Sequence, residues 1–317
     1  EKRFGLKGGR VFTLDAIGKE YKITRERVRQ IEADALKHIE KKSATLEFVP
    51  LFDAMALFLK ERGGVMAERE ILSSMTDAKF KSHVALLLDV AGGLFHYFPE
   101  DDFFHARWAL NRDAALSAEK VVEKLVNGLE SHGRPVSHEN LISLLSESAR
   151  AVVGASLPDH VLLSYFGISK LIQKNPYGEF GIVSWPSISP RGVRDKAYVV
   201  ITKAEKPLHF REVAEGINHA GWSKRKAHPQ TVHNELIKDA RFVLVGRGLY
   251  ALLEWGYEPG AVREVLVSIL KTNGALMRED IVKKVLEKRF VKEATVLLNL
   301  QNKSLFKKTD EGKYSLV

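Results

Sequence analysis

The chain has 317 residues, is 45% hydrophobic and 28% charged, and contains no cysteine, a globular composition long enough for two or more domains. Without cysteine there are no disulfides, thiolate metal sites or cysteine nucleophile, as befits a reducing compartment; no uncharged apolar run approaches the ~20 residues of a membrane span, and "EKRFGLKGGR" lacks the order of a signal peptide. The net charge of +9 favours a polyanionic partner, but residues 1–42 carry +5, 43–197 −3, 198–255 +3 and 261–317 +5, which argues against one uniform nucleic-acid surface.

The first elements lie in "TLDAIGKEYKITRERVRQIEADALKHI" (13–39). Thr13 is placed to cap a short helix whose Leu14, Ile17 and Tyr21 face inward. Gly18 is small enough for a second helix to cross closely, and Lys22 stands in the turn, where a positive φ costs a residue with a Cβ. Thr24 caps the second helix, in which Val28, Ile31, Ala35, Leu36 and Ile39 share one face. This is a helix-turn-helix. The opposite face, in the first two turns, carries Arg25, Glu26, Arg29 and Gln30. Arginine can bridge O6 and N7 of guanine, glutamine can pair with adenine, and glutamate can accept from the cytosine amino group. Arg27 and Lys22 suit phosphate. A solvated helix with i,i+4 charge pairs is the plainer reading of such a mixture.

With "RFGL" (3–6), this stretch closely resembles region 4 of the sigma-70 family of bacterial RNA polymerase initiation factors. The resemblance implies contact with the −35 promoter element, with Arg25, Glu26, Arg29 and Gln30 reading bases and Thr13, Lys22, Thr24 and Arg27 holding the DNA backbone. Lys22 departs from the glycine frequent at that turn, and the helix that normally precedes "RFGL" is absent. Nothing resembles the promoter-melting region. The chain begins at Glu1 without methionine, so a piece of a longer protein is expected.

Beyond residue 45 one pattern recurs. The turns "GGVMAEREI" (63–71), "GRPVSHENL" (133–141), "EKPLHFREV" (205–213) and "NGALMREDI" (273–281) end on Ile71, Leu141, Val213 and Ile281. Such regular self-similarity marks one supersecondary unit used several times. Each unit closes on two β-like runs around a turn: "LFHYF-PEDD-FFHARWAL", "LIQK-NPYG-EFGIVSW", "FVLV-GRG-LYALLEW" and "LFKK-TDEG-KYSLV", where turn residues sit between aromatic and β-branched flanks. The expected fold is mainly α with small β-hairpin wings: an N-terminal helix-turn-helix (1–45) and four tandem winged-helix-like units (46–116, 117–190, 191–256 and 257–317). "SWPSISPRG" (184–192) and "GYEPG" (256–260) read as links.

In the third unit, "PLHFREVAEGI" (207–217) and "DARFVLVGRGLYALLEW" (239–255) resemble the HARE-HTH domain, a winged-helix family that includes the delta subunit of bacterial RNA polymerase. The resemblance implies work in transcription or DNA recognition. Lys224, Arg225 and Lys226 stand directly before a helix opening at Pro229, and Arg247 at the wing tip; the four form a possible secondary phosphate contact, or a plain solvated loop.

No phosphate-cradling motif occurs, and "KGGR" and "AGGL" read as turns. His228 and His233, five apart, share no helix face. Glu100, Asp101 and Asp102 read as an acidic hairpin tip, and Trp108, Trp185, Tyr250 and Tyr314 as core. No catalytic constellation, metal site or cofactor is expected. The expected partners are double-stranded promoter DNA and the RNA polymerase core, with no membrane or small-molecule substrate and a cytoplasmic location. The leading reading is thus a sequence-specific, sigma-like DNA-binding protein of transcription initiation. The alternatives are a delta-like polymerase accessory protein, or the recognition part of a DNA-processing system.

Overall fold

The computed structural model describes residues 1–7, 10–43, 48–257 and 260–317. They form two compact units, one of Glu1–Lys174 and Gly178–Val183, the other of Asn175–Tyr177 and Ser184–Val317. The chain is mainly helical, with antiparallel sheets of two or three short strands.

The first unit opens with α1 (Leu14–Tyr21) and α2 (Arg25–Ser43). A first helix–hairpin group follows: α3 (Val49–Glu61), β1 (Val65–Ala67), α4 (Glu68–Ser74), α5 (Lys81–Val90), β2 (His96–Phe98) and β3 (Arg107–Ala109). Phe52, Met55, Leu59, Ile71, Leu88 and Trp108 close its core. A second group comprises α6 (Arg112–His132), α7 (His138–Val153), α8 (Asp159–Gly167), β4 (Ile172–Lys174) and β5 (Phe180–Ile182), around buried Val122, Leu125, Leu141, Leu145 and Leu162.

Within this unit the parts are tied. α2 packs on α5, and α8 packs on β1, where Tyr165 Oη donates to Gly63 O at 3.1 Å and Arg69 Nη2 to Gly167 O at 3.3 Å. Arg107, 5% exposed, donates to Glu119 Oε1 from Nε at 3.0 Å and from Nη2 at 2.6 Å.

The second unit holds two more groups. One is α9 (Val193–Ala204), β6 (Leu208–His209), α10 (Phe210–Ala220), α11 (Pro229–Lys238), β7 (Phe242–Gly246) and β8 (Leu249–Leu252); the other is α12 (Val262–Asn273), α13 (Arg278–Lys288), α14 (Glu293–Leu300), β9 (Phe306–Lys308) and β10 (Tyr314–Leu316). Each encloses its own apolar cluster. Arg289 Nη1 donates to Leu244 O at 2.7 Å, linking the two.

The repeat has a common register. Met66 pairs with Trp108, Val136 with Phe180, Leu208 with Tyr250, and Leu276 with Tyr314, so each hairpin's returning strand is bonded to the segment that starts its group's second helix. Five residues further on, Ile71, Leu141, Val213 and Ile281 are all 0% exposed. All four hairpins fall where the turn chemistry places them. β1 and β6 add a third strand to two of the sheets.

Two expectations need correction. The boundary at 116/117 falls inside α6, which begins at Arg112 with Asn111 Oδ1 accepting from Ala114 N; an asparagine cap, not a Pro/Gly link, starts that helix. Tyr21 is not buried but 57% exposed, because the groove it lines on the apolar side of α2 is open. The boundary at 45/46 lies outside the described residues, as do Gly8 and Gly9 of "KGGR" and Glu258 and Pro259 of "GYEPG".

Candidate nucleic-acid interface

The geometry of the N-terminal helix pair follows from its turn. Thr13 Oγ1 accepts from Ala16 N at 3.2 Å and caps α1. Lys22 adopts the left-handed conformation, φ 55°, ψ 37°, while its N–H reaches back to the carbonyls of Gly18 and Lys19. Ile23 N donates to Gly18 O at 2.9 Å. A Cβ on Gly18 would lie 2.7 Å from Ile23 O, so only glycine lets the turn close this tightly. Thr24 Oγ1 then accepts from Arg27 N at 3.1 Å and caps α2.

Capping fixes which way α2 begins, and hence what its first turns present. Arg25, Glu26, Arg29 and Gln30 are all exposed, while Val28 on the opposite side is 6% exposed. The four predicted base readers thus share one surface. Glu26 and Arg29 are joined by a bidentate pair. The Arg29 guanidinium holds the Glu26 carboxyl below its ordinary range, and Glu26 raises Arg29 in turn. Arg27 Nη1 donates to Gln30 Oε1 at 3.3 Å. Arg25 has no hydrogen-bond or ion-pair partner among the described residues.

Beside this face, at the turn, lies an open notch of about 540 Å³ whose rim gathers Lys19, Lys22, Thr24, Arg25 and Arg27. It brings together three of the residues expected to hold the DNA backbone, Lys22, Thr24 and Arg27; Thr13 is not among its lining residues. Lys19 was missed in the sequence. Its signal was a cation three residues before Lys22, although Asp15 engages its Nζ at 2.8 Å.

The apolar stripe on the back of α2 is only partly covered. Ile31 is 48% and Ile39 40% exposed. They line an open groove of about 430 Å³ with Phe4, Leu6, Tyr21 and Leu86.

In the second unit, Lys224, Arg225 and Lys226 are exposed in the loop between α10 and α11, and Arg247 is exposed in the β7–β8 turn. Asn218 braces the loop, accepting from Ala227 N at 2.7 Å and donating to Ala227 O at 3.1 Å. No hydrogen bond joins the loop cations to Arg247 among the described residues.

The acidic tip is occupied by the protein itself. Asp101 Oδ1 accepts from Phe103 N and Phe104 N at 2.8 and 2.7 Å, and Glu100 pairs with Lys170 at 2.9 Å. Among the described residues there is no group of three side chains able to hold a metal ion, and no helix long and apolar enough to cross a membrane. Trp108 and Tyr250 are buried, Trp185 and Tyr314 half-buried.

Compared with known proteins, residues 1–41 match the family described as sigma-70, region 4. Over 37 residues the chain is 60% identical to the RNA polymerase sigma factor SigA of Lactococcus lactis subsp. cremoris, covering 12% of this chain and 10% of that protein. Over 51 residues it is 47% identical to the SigA of Clostridium acetobutylicum, covering 16% and 14%. The chain therefore spans only a small part of the length of these relatives. The match places a segment similar to sigma-70 region 4 at the N-terminus of this chain, over the helix pair α1–α2.

Proposed function

We propose that this chain reads promoter DNA of a −35 type through α2. Arg25, Glu26, Arg29 and Gln30 would address base edges in the major groove, and Thr13, Lys22, Thr24 and Arg27 the phosphates. The observation that carries this reading is that the matched segment presents all four base readers, exposed, on the first two turns of a capped helix. The remaining groups are read as winged-helix units, the third of HARE-HTH type. In that third unit Lys224, Arg225, Lys226 and Arg247 would add phosphate contacts, and the acidic middle of the chain would dock on protein. The test is fluorescence anisotropy of the full chain on duplexes with and without a −35-type hexamer across a salt series. A selective gap that persists as salt rises supports base reading. Binding that ignores sequence and only falls with salt overturns it.

A second reading, a polymerase accessory protein, is favoured by the open apolar groove behind α2, since an exposed apolar surface of this kind marks a protein contact. It predicts co-purification with RNA polymerase core, weakened by Ile31→Lys, without sequence-selective DNA binding by the chain itself.

A further inference from the structure

We propose that the fourth group seats a second copy of this chain: α13 of one copy packs antiparallel on α13 of the other about a two-fold axis, joined by two reciprocal Lys283–Glu287 ion pairs. This goes beyond the DNA reading and does not depend on it.

The argument begins with the α13 sequence, "REDIVKKVLEK". At 100° per residue, Leu286, Glu279, Lys283 and Glu287 fall within one stripe of about 100°. All four are exposed, whereas Ile281, Val282 and Val285 belong to the group's own core, at 0%, 8% and 0%. The stripe borders an open groove of about 570 Å³ that Val282 and Leu286 line with Glu293 at the start of α14. Leu286 is 42% exposed, and Phe290, two residues past the helix, 51%. The fold does not demand this apolar exposure. The equivalent helix of the third group, α10, exposes Arg211, Glu212, Glu215, Asn218 and His219 and no large apolar side chain. Apolar surface left open in this way marks a protein contact.

The charges decide which protein. Lys283 and Glu287 lie one turn apart, with the cation N-terminal to the acid, the weaker order for a pair within a helix. Neither has a hydrogen-bond or ion-pair partner among the described residues. Beside them, Arg278 and Glu293 already answer each other at 3.5 Å. Lys283 and Glu287 thus offer opposite free charges at a fixed spacing next to Leu286. A partner of one sign would satisfy one of them and repel the other.

A second α13 running the opposite way satisfies both. With the axis midway between the two residues, each Lys283 faces Glu287 of the other copy, and the two Leu286 side chains meet near the centre. Such self-complementarity is what a two-fold interface requires. α13 has 11 residues, a length of about 16 Å, and a pair of such helices covers less than the ~1,200 Å² at the lower end of stable interfaces. The association is therefore weak, of micromolar strength.

The test is sedimentation of the full-length chain across a micromolar concentration series, with melting curves to confirm that each surface variant folds. Wild type should pass from monomer to dimer as concentration rises. Lys283→Glu or Glu287→Lys sets like charges against each other and should weaken dimerisation about tenfold or more. An equimolar mixture of the two variants should dimerise again, because each residue then meets its opposite on the other copy. The double variant Lys283→Glu/Glu287→Lys should likewise recover. Leu286→Ala should weaken every one of these dimers. A wild type that stays monomeric, or binds only a foreign chain at this face, would overturn the proposal. So would a dimer indifferent to both reversals, reversals that the mixture does not rescue, or growth past the dimer.

Discussion

Arg29 meets Glu26 through two hydrogen bonds, Nε to Oε2 at 2.9 Å and Nη2 to Oε1 at 2.7 Å, on a surface where both side chains are more than half exposed. Pairs this open are weak in water, so under the proposed reading the fork would open readily when guanine offers O6 and N7. Glu26 occupies the guanidinium in the structure, and under that reading it would keep Arg29 from stray phosphates. Arg29→Ala should lose about 1–3 kcal/mol on the cognate duplex, with far less change on scrambled DNA. Glu26→Ala should act the other way, strengthening scrambled-DNA binding and steepening its salt dependence by about one unit. Anisotropy titrations check both; equal losses on the two duplexes for Arg29→Ala would refute the base-reading role.

The turn before α2 gives two substitutions of opposite sign. Gly18→Ala drives a methyl into the Ile23 carbonyl and should destabilise the helix pair by about 1–3 kcal/mol. Lys22→Gly relieves a left-handed side-chain residue and should stabilise it by about 1 kcal/mol, less the extra chain entropy of glycine. Amide hydrogen exchange of Ile17 and Val28 reports this segment separately from the remaining groups. The same sign for both variants would show that the turn does not govern the pair.

A pH effect is expected where α2 rests on α5. The Asp89 carboxyl, though partly open to water, is raised from 3.8 to about 6, first by burial and then by Glu68 and Glu32, with Arg3 opposing. Arg3 is itself paired to Glu32 at 3.2 Å. Between about pH 4 and 6 the folded chain holds a proton that the unfolded chain has released, so stability falls as pH rises through that window and levels off above it. Asp89→Asn should therefore melt higher than wild type above about pH 6 and match it near pH 4. Parallel melting curves across that range would remove Asp89 as the cause.

Arg107 has its charge buried between the rings of Phe98 and Phe104 and answered by Glu119. Glu119→Ala removes the nearer of its two counter-ions, leaving Asp101 at 3.4 Å, and should cost about 3 kcal/mol. Adding Arg107→Met should recover most of the loss, because an apolar side chain of similar length needs no counter-ion. Denaturant melts of the single and double variants decide it; additive losses would mean the pair is not the source.

Local chemistry made much of this readable before any coordinates. Thr13, Thr24 and Gly18 announced the helix-turn-helix because caps and close turns are decided by a few neighbouring residues. The four hairpins were legible from their turn residues, and Ile71, Leu141, Val213 and Ile281 from their repeat. What escaped depends on distant partners. Strands β1 and β6 are two or three residues long, and exist because a hairpin lies beside them. The apolar stripe of α2 promised burial, yet Ile31 remains 48% exposed, since α5 and the N-terminal residues cover only part of it.

The bond between each group's entry segment and its returning strand is made by main-chain atoms. At Val136–Phe180 it comprises two N–H to carbonyl bonds of 2.9 and 2.8 Å, and at Leu276–Tyr314 two of 3.1 and 2.8 Å. Such a clasp is blind to side-chain identity, so Met, Val and two Leu face Trp, Phe and two Tyr without disturbing it. Groups built on such a clasp can differ widely in sequence while keeping their shape. The third helix of each group is then not bound to one use: α5 is spent on an internal joint with α2, while α11 keeps an outward face.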